Sequence, residues 1–186
     1  MIKFKHLYLF VKHSYMNDTV KPKYGEYDPF YEKYVSYSHG KDIIGLIYAQ
    51  IDELEDILAN KSDDWFLIPY QEGKWTPKEL IGHVIDTERI FAFRCLSLAR
   101  GERGTIPGFD ENDYVKMAHF NDIPVKELME DFRVSRLSLR SMIRHFSERD
   151  FMRQGTVNGN VMSSRACLAI IIGHFNHHMD VIKERY

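Results

Sequence analysis

The sequence Ala166–Tyr186, ACLAIIIGHFNHHMDVIKERY, decides the fold of this chain. An apolar residue or a histidine recurs there at intervals of four and three residues, at Cys167, Ile171, His174, His178 and Val181. This spacing predicts a helix that packs one face against other helices. His174 and His178 therefore lie one turn apart on the face that should be apolar.

Two interpretations of this histidine pair compete. A buried imidazole needs a partner for each ring nitrogen, so the pair is either a hydrogen-bonded feature of the core or two ligands of a metal ion. The spacing HxxxH does not separate the two, because imidazoles one helical turn apart suit both purposes. The rest of the sequence is needed to decide.

The composition is that of one globular domain, with neither the basic charge typical of nucleic-acid binding nor a membrane-spanning apolar run. The chain has 186 residues, of which 44% are hydrophobic and 28% charged, and this length is enough for a full hydrophobic core. The formal net charge of −2 provides no basic field for nucleic acid. No apolar run approaches the roughly 20 residues of a transmembrane helix. We therefore expect neither nucleic acid nor a membrane as a partner.

The cysteines and the first apolar run indicate the compartment. Cys95 and Cys167 lie within apolar helical patterns, which predicts small core residues in a reducing cytosol rather than a disulfide. The first apolar run ends at Lys12, and no cleavage site follows it. A signal peptide is therefore not predicted, and we expect a cytoplasmic protein.

The N-terminal part of the chain lacks a sustained hydrophobic period. The stretch Lys21–Tyr34 is rich in tyrosine, proline and glycine, which is typical of a segment that lies on a surface through its aromatic rings. We expect residues 1–26 to form an extension or arm, with Met16 as an alternative start, before a domain at residues 27–186.

Four amphipathic stretches predict an all-α four-helix bundle. The predicted helices are Asp42–Asn60, a second from the Thr76 cap to about Arg100, Pro124–Phe146, and a fourth that begins after a cap at Ser163 or Ser164. The second has a capping-box pattern, Thr76-Pro77-Lys78-Glu79, at its start. Asn158-Gly159 predicts a small β-hairpin before the fourth helix.

A third histidine decides between the two interpretations. His83 lies about six residues into the second helix, and His178 lies about six residues before the end of the fourth. Antiparallel second and fourth helices would bring them to one level, whereas parallel helices would separate them by roughly 6–12 Å along the axis. The antiparallel arrangement requires a long crossover between the second and third helices, and residues 101–123 are long enough for one. The sequence therefore predicts an up-down-down-up bundle.

We predict that His83, His174 and His178 bind a divalent metal ion. Imidazole nitrogens suit Zn or Ni, with Fe or Mn as alternatives, and three protein ligands leave a position open for water or substrate. His177 competes with His178, because it lies three residues from His174. The apolar face favours His178 and leaves His177 at its edge.

Several other polar residues have both a structural and a functional interpretation. Asp110 and Glu111 in the crossover are acid–base candidates, or they cap a loop. Asp86 and Asp180 could accept a hydrogen bond from a ligand histidine, or they belong to solvated helix faces.

Arg94 and three aromatic residues also have two interpretations. Arg94 is expected in a structural ion pair with Glu88 or another carboxylate. Trp75, Phe109 and Tyr114 would form aromatic walls of a pocket, or they cover the core.

Three segments resemble one known family. KWTPKELIGHVIDTERIFAFRCLSLARG, PGFDENDYV and RQGTVNGNVMSSRACLAIIIGHFNHHMDVIKERY occur in this order, and they resemble the DinB-like, YfiT-related metal-dependent hydrolases over roughly residues 27–186. The resemblance implies a four-helix bundle with the crossover described above, often as a homodimer. It also implies a divalent metal held by one histidine of the second helix and two of the fourth, at positions that correspond to His83, His174 and His178.

The expected function follows from these interpretations. The resemblance includes transferases and isomerases that use bacillithiol, mycothiol or glutathione. We therefore expect a metal-dependent enzyme that acts on a small molecule, either as a hydrolase or as an S-transferase that activates a low-molecular-weight thiol. The alternative is a non-catalytic, metal-stabilised module for dimerisation or for binding a small ligand in a stress response.

Overall fold

Four long helices form most of the computed structural model, which describes residues 20–186. In chain order the helices and strands are α1 (Glu32–Val35), α2 (Ile43–Leu58), α3 (Pro77–Ala99), α4 (Glu111–Ala118), α5 (Val125–Ile143), α6 (Glu148–Met152), β1 (Gln154–Val157), β2 (Asn160–Ser163) and α7 (Ser164–Arg185). Short 3-10 turns cover Pro29–Tyr31, Ser36–Ser38, Asp64–Leu67 and Phe120–Asp122. The prediction of a mostly helical fold with one hairpin is confirmed. The predictions for residues 1–15 and for Met16 lie outside the described residues.

The predicted start of α3 is confirmed in detail. The Thr76 hydroxyl accepts a hydrogen bond from the Glu79 backbone amide, and the Glu79 carboxylate accepts one from the Thr76 amide at 2.8 Å. Pro77 occupies the first helical position, where its missing N–H costs nothing. The helix ends before Gly101, whose φ of +82° belongs to the left-handed region that favours glycine.

The long helices pack in a ring in which α3 and α7 make the most extensive contact. α3 also contacts α5, and α2 contacts both α5 and α7. The buried apolar residues form two clusters, one around the first half of α7 and one around its second half. His174 lies between Ile172 of the first cluster and Phe175 of the second, at the junction of the two apolar regions.

Two polar contacts give the relative position of α3 and α7. The Ser164 hydroxyl at the start of α7 donates to the Cys95 carbonyl near the end of α3, at 3.0 Å. Near the middle of α7, His174 Nε2 lies 3.0 Å from His83 Nε2 in the first half of α3. The histidines of the two helices are therefore level, as the sequence predicted.

The segment between α3 and α5 is more ordered than the predicted loop. It contains α4, whose first turn is capped by Asp110 through bonds from the Asn112 and Asp113 amides. It also pairs with the hairpin, because Ile106 and Val157 form a parallel bridge. Eight residues with few apolar positions give too weak a period to be recognised from sequence alone.

The hairpin and the last cap agree with the sequence. β1 and β2 pair antiparallel, and the connecting Asn158 and Gly159 both have positive φ, as a two-residue turn requires. Of the two candidate caps, Ser163 is the one that accepts a bond from the Ala166 amide. The helix that carries the histidines therefore begins directly at the end of a strand.

The chain before α2 packs directly on α7. Arg165 Nε donates to Glu26 Oε2 at 2.7 Å, and the Ser163 hydroxyl donates to the same oxygen at 2.9 Å. Further along, the backbone carbonyl of Tyr34 lies against Gly173 so closely that a Cβ there would approach it to 1.8 Å. The absence of a side chain at Gly173 is therefore what allows Tyr34 to lie beside His174.

The prediction that the two cysteines are core residues without a disulfide is confirmed, since Cys95 and Cys167 are both free and buried. Burial raises the pKa of the Cys95 thiol to about 11. None of the helices in residues 20–186 combines the length and the apolar character needed to cross a bilayer.

We predict that Gly173→Ala destabilises the fold. Alanine is normally better than glycine within a helix by about 1 kcal/mol. Here its methyl group would overlap the Tyr34 backbone, and such overpacking costs about 1–3 kcal/mol. Urea denaturation should therefore show a lower free energy of unfolding. Gly104→Ala is the control, because its Cβ would meet only the flexible Glu102 carboxylate, and an equal loss in both variants would contradict the prediction.

Candidate metal centre

The three predicted histidines meet where α3 and α7 cross. His83 lies on the second turn of α3, which the Thr76 cap and Pro77 position. His174 and His178 lie one turn apart on α7, so their side chains emerge on the same face. The position of each histidine along its helix therefore determines which face its imidazole lies on. The contact between α3 and α7 brings the imidazoles together.

The nitrogen atoms of the three rings converge on one point. His174 Nε2 lies 3.0 Å from His83 Nε2 and 3.0 Å from His178 Nε2. One ring nitrogen from each of the three residues lies within 4.8 Å of the others, as ligands of a shared ion would. The structure thus brings together all three residues that the sequence predicted as ligands.

Burial keeps these rings neutral. The side chains of His83 and His174 are both buried, and His178 is partly buried. Burial lowers the pKa of His83 to about 4. Burial and then the neighbouring imidazoles hold the pKa values of His174 and His178 well below the usual range. Neutral imidazole is the form that binds a metal ion, so little proton release is needed for binding.

Hydrogen bonds among the three histidines alone do not satisfy their ring nitrogens. A neutral imidazole has one N–H donor and one acceptor, and His174 Nε2 faces two other Nε2 atoms at once. His174 Nε2 carries either one proton or one lone pair, and each can form only one well-directed hydrogen bond, so one of the two contacts is left unsatisfied. A shared cation accepts all three lone pairs. The chemistry of the donor set therefore fits a divalent metal ion.

Aromatic rings enclose the imidazoles. The Trp75 ring lies 4.6 Å from the His83 ring between centroids, and the Tyr34 ring lies 5.2 Å from that of His174 in an edge-to-face contact. Trp75 was predicted either as a wall of a pocket or as a cover of the core, and the structure places it beside His83 at the cavity. Tyr34 was missed as a site residue, because it is distant in sequence and only the close approach at Gly173 brings it here.

His177 lies beside the cluster rather than in it. Its ring contacts Tyr34 at 5.6 Å and His178 at 5.1 Å, and it is not among the three converging residues. Burial lowers its pKa, as does the nearby Lys33 ammonium. The edge position predicted for His177 agrees with this placement.

The two aspartates considered as partners of the histidines are engaged elsewhere. Asp86 lies 3.6 Å from Arg89 in an ion pair, and Asp180 accepts a short hydrogen bond from the Tyr37 hydroxyl. Among the described residues neither bonds a histidine. His178 Nδ1 is buried without a protein partner in the described part of the chain.

A cavity of about 480 Å³ opens beside the imidazoles. Trp75, Phe109 and Glu111 contribute to its walls, whereas Tyr114 packs on the Phe109 ring and is 47% exposed. Asp110 is absent from the described lining and serves as the cap of α4. The structure therefore gives Asp110 the capping position and leaves Glu111 as the acid–base candidate at the cavity.

The sequence profile of the DinB superfamily matches residues 46–182. This match spans most of the chain, including all three histidines. The chain belongs to the DinB superfamily.

Individual proteins match this chain in sequence or in fold. A Geobacillus thermodenitrificans (strain NG80-2) protein named "Putative metal-dependent hydrolase" is 22% identical over 140 residues, which are 74% of this chain and 79% of the relative. The structure of YfiT from Bacillus subtilis, described as a "probable metal-dependent hydrolase with an unusual four-helix bundle topology", superposes with a TM-score of 0.68 at 15% identity. It covers 88% of this chain and 90% of YfiT.

A thiol-dependent enzyme has a related fold. The mycothiol-dependent maleylpyruvate isomerase superposes with a TM-score of 0.60 at 18% identity over 74% of this chain. The match spans 58% of the isomerase, so that enzyme has a large part with no counterpart here.

The expected pairing of Arg94 with Glu88 in this DinB-superfamily chain is wrong. Glu88 Oε2 lies 2.8 Å from Arg136 Nε, and both side chains are buried. Burial raises the pKa of Glu88 to about 7. Arg94 instead donates to the Pro107 carbonyl at 2.9 Å and lines the cavity. From the sequence, Arg94 alone was considered as the partner of Glu88, and the packing of α5 on α3 is what brings Arg136 to this carboxylate.

We predict that Zn²⁺ binding at pH 6 releases fewer than about 0.5 protons from the three histidines of this DinB-superfamily chain. Imidazoles with an ordinary pKa of about 6.5 would be mostly protonated at pH 6, and three of them would release about two protons to an incoming ion. The lowered pKa values mean that the folded protein has already lost these protons. Titration calorimetry in two buffers of different ionisation enthalpy measures the number, and a release of two protons would contradict the prediction.

Proposed function

We propose that this chain is a metal-dependent enzyme whose divalent ion is bound by His83, His174 and His178. The observation that carries the proposal is the convergence of three neutral imidazole nitrogens at the side of a cavity. The names of the Geobacillus relative and of YfiT support it, because both refer to metal-dependent hydrolysis.

The donor set favours Zn or Ni, with Fe as the next choice. Imidazole nitrogen suits these ions, whereas Mn prefers oxygen ligands and is the weakest of the four predicted ions. When bound, such an ion supplies Lewis acidity toward a water or a thiol in the cavity. The three histidines would act as ligands and not as bases.

The chain offers one carboxylate that is suited to moving a proton. The described walls of the cavity contain two acidic residues, Asp28 and Glu111. Asp28 accepts a bond from the Phe30 amide at 2.8 Å and so caps a turn. Glu111 is exposed on the first turn of α4 and makes no such capping bond among the described residues. We therefore assign Glu111 the role of general base in hydrolysis.

An S-transferase reaction does not require a general base from the protein. A thiol can lose its proton to solvent once a cation stabilises the thiolate, so no base in the cavity is required. The thiol would come from a second substrate, since Cys95 and Cys167 are buried and do not line the described cavity. The fold of the mycothiol-dependent isomerase supports this second candidate.

We propose the up-down-down-up order for α2, α3, α5 and α7. The contacts of Ser164 with Cys95 and of His174 with His83 support antiparallel α3 and α7. Parallel α3 and α5 are supported because Thr76 bonds Asn121 before α5 while Glu88 pairs with Arg136 further along. The domain at residues 27–186, the homodimer and the cytoplasmic location stay predictions.

We predict that His174→Ala abolishes stoichiometric Zn²⁺ binding. His174 Nε2 is the atom that faces both other imidazoles, so its removal leaves two ligands on different helices. Metal analysis after dialysis should fall from about one ion per chain to a trace. His145→Ala is the control, because His145 is exposed after the end of α5 and is not among the converging residues. Full metal retention in His174→Ala would contradict the proposal.

Chelation should also lower the melting temperature of the wild-type chain. An ion that binds only the folded state stabilises it by mass action, and its removal leaves three imidazole nitrogens without their shared partner. A thermal melt before and after EDTA measures the difference. An unchanged melting temperature would favour histidines that serve only the core.

A pair of activity screens separates hydrolysis from thiol transfer. The metal-loaded protein is tested against an ester panel and against low-molecular-weight thiols with an electrophile. We predict that Glu111→Gln lowers ester turnover by about 100-fold, which is typical of a lost general base, and leaves thiol transfer unchanged. Asp113→Asn is the control, because Asp113 is exposed on the same helix and does not line the cavity. No turnover in either screen would favour the non-catalytic module.

A further inference from the structure

Three arginine side chains are buried in the described part of the chain, and they differ in their partners. Arg94 is 2% exposed, Arg136 is fully buried and Arg165 is 6% exposed. Arg136 pairs with Glu88, and Arg165 pairs with Glu26. Arg94 has no carboxylate within 4 Å among the described residues. A buried charge without a counter-ion is costly, so the exception requires an explanation.

The surroundings of Arg94 orient its guanidinium but do not neutralise it. Nη2 donates to the Pro107 carbonyl at 2.9 Å. The guanidinium carbon lies 4.7 Å from the centroid of the Phe91 ring and 5.6 Å from that of Phe109. Arg94 Nε has no hydrogen-bond partner in residues 20–186. The side chain is thus held between two rings, and within residues 20–186 its Nε is unused and its charge has no carboxylate partner.

The unpaired guanidinium and the imidazoles share one space. Arg94 lines the same cavity as His83, His174 and His178. The two acidic residues of the described lining, Asp28 and Glu111, form no ion pair with Arg94 there. A molecule in this cavity can therefore contact the imidazole cluster and the guanidinium at once.

We propose that Arg94 binds a carboxylate of the substrate, and that the cavity takes small carboxylic acids. The carboxylate would accept hydrogen bonds from the guanidinium, and the reacting group of the same molecule would face the imidazoles. Arginine suits this task because its planar donors match the two oxygens of a carboxylate. The inference rests on the proposed function, since it names the substrate class for that cavity.

Matched pairs of small ligands, which differ only in the carboxylate, test the proposal. With Zn²⁺-loaded protein, titration calorimetry compares 3-mercaptopropionate with 3-mercapto-1-propanol, which replaces the carboxylate by a hydroxyl. Butyrate and 1-butanol repeat the comparison without a thiol. We expect each acid to bind at least about tenfold more tightly than its alcohol, because charge-assisted hydrogen bonds are the stronger kind. Equal binding within both pairs would overturn the proposal.

Variants then assign the preference to Arg94. Arg94→Met should bind acid and alcohol equally, whereas Arg94→Lys should keep part of the preference because it keeps the charge. Arg149→Met is the control, since Arg149 is exposed and does not line the cavity. A full preference in Arg94→Met would overturn the proposal. If neither Arg94 variant folds, the comparison of butyrate with 1-butanol in EDTA-treated protein decides, because no metal is then present to bind the carboxylate.

The outcome for the metal is measured separately. Butyrate and 1-butanol are also titrated into EDTA-treated protein, and the metal content of each sample is determined. A preference for butyrate, with no metal bound in either the Zn²⁺-treated or the EDTA-treated sample, would contradict the proposed metal enzyme and support the carboxylate site. Stoichiometric metal with no preference would support the metal site and overturn the role of Arg94.

Discussion

The structure depends on the contact between α3 and α7. Each helix carries part of the histidine cluster, and the imidazoles meet only because the helices are level at His83 and His174. The Ser164–Cys95 bond at the other end of the same contact maintains that level over the length of the interface. A shift of α7 by one residue would move its histidines by about 1.5 Å and rotate them by about 100° around the helix.

This contact also determines how the chain is connected. α5 follows α3 in sequence, and Asn121, before α5, lies beside the start of α3. In the proposed up-down-down-up order, the chain returns along the bundle after α3 ends at Ala99. It does so through the segment that contains α4 and the bridge between Ile106 and Val157. The same segment supplies Phe109 and Glu111 to the cavity, so the connection that the helix order requires also forms a wall of the candidate site.

The sequence predicted the long helices and the three converging histidines because both depend on local periodicity. The capping box at Thr76 and the spacing of His174 and His178 are readable over a few residues. The depth of His83 within its helix then sufficed to align the two helices. The start of α7 was equally readable, although its cap required a choice between two serines that only the hydrogen bonds resolve.

What the sequence did not predict is non-local. Tyr34 reaches His174 because Gly173 has no side chain, and nothing near Tyr34 in the sequence indicates this contact. The partner of Glu88 is non-local for the same reason. Arg94 lies six residues after Glu88, outside the i+3 and i+4 positions that are neighbours on a helix, so the buried carboxylate pairs with Arg136 of α5. Ion-pair partners on different helices depend on side-chain direction and helix rotation, which a hydrophobic pattern specifies only coarsely.

That missed exchange bears directly on recognition. Had a carboxylate such as Glu88 neutralised Arg94, the described lining of the cavity would lose its one guanidinium charge. Because α5 supplies Arg136 to Glu88 instead, Arg94 lines the cavity without a carboxylate partner in the part of the chain that the structure describes. An apolar enclosure strengthens any interaction that this charge makes, because little water competes for it. The ion pair between α3 and α5 therefore satisfies Glu88 without the Arg94 guanidinium, which we propose binds a carboxylate. The helix packing that builds the core thus also determines which ligands the cavity can attract.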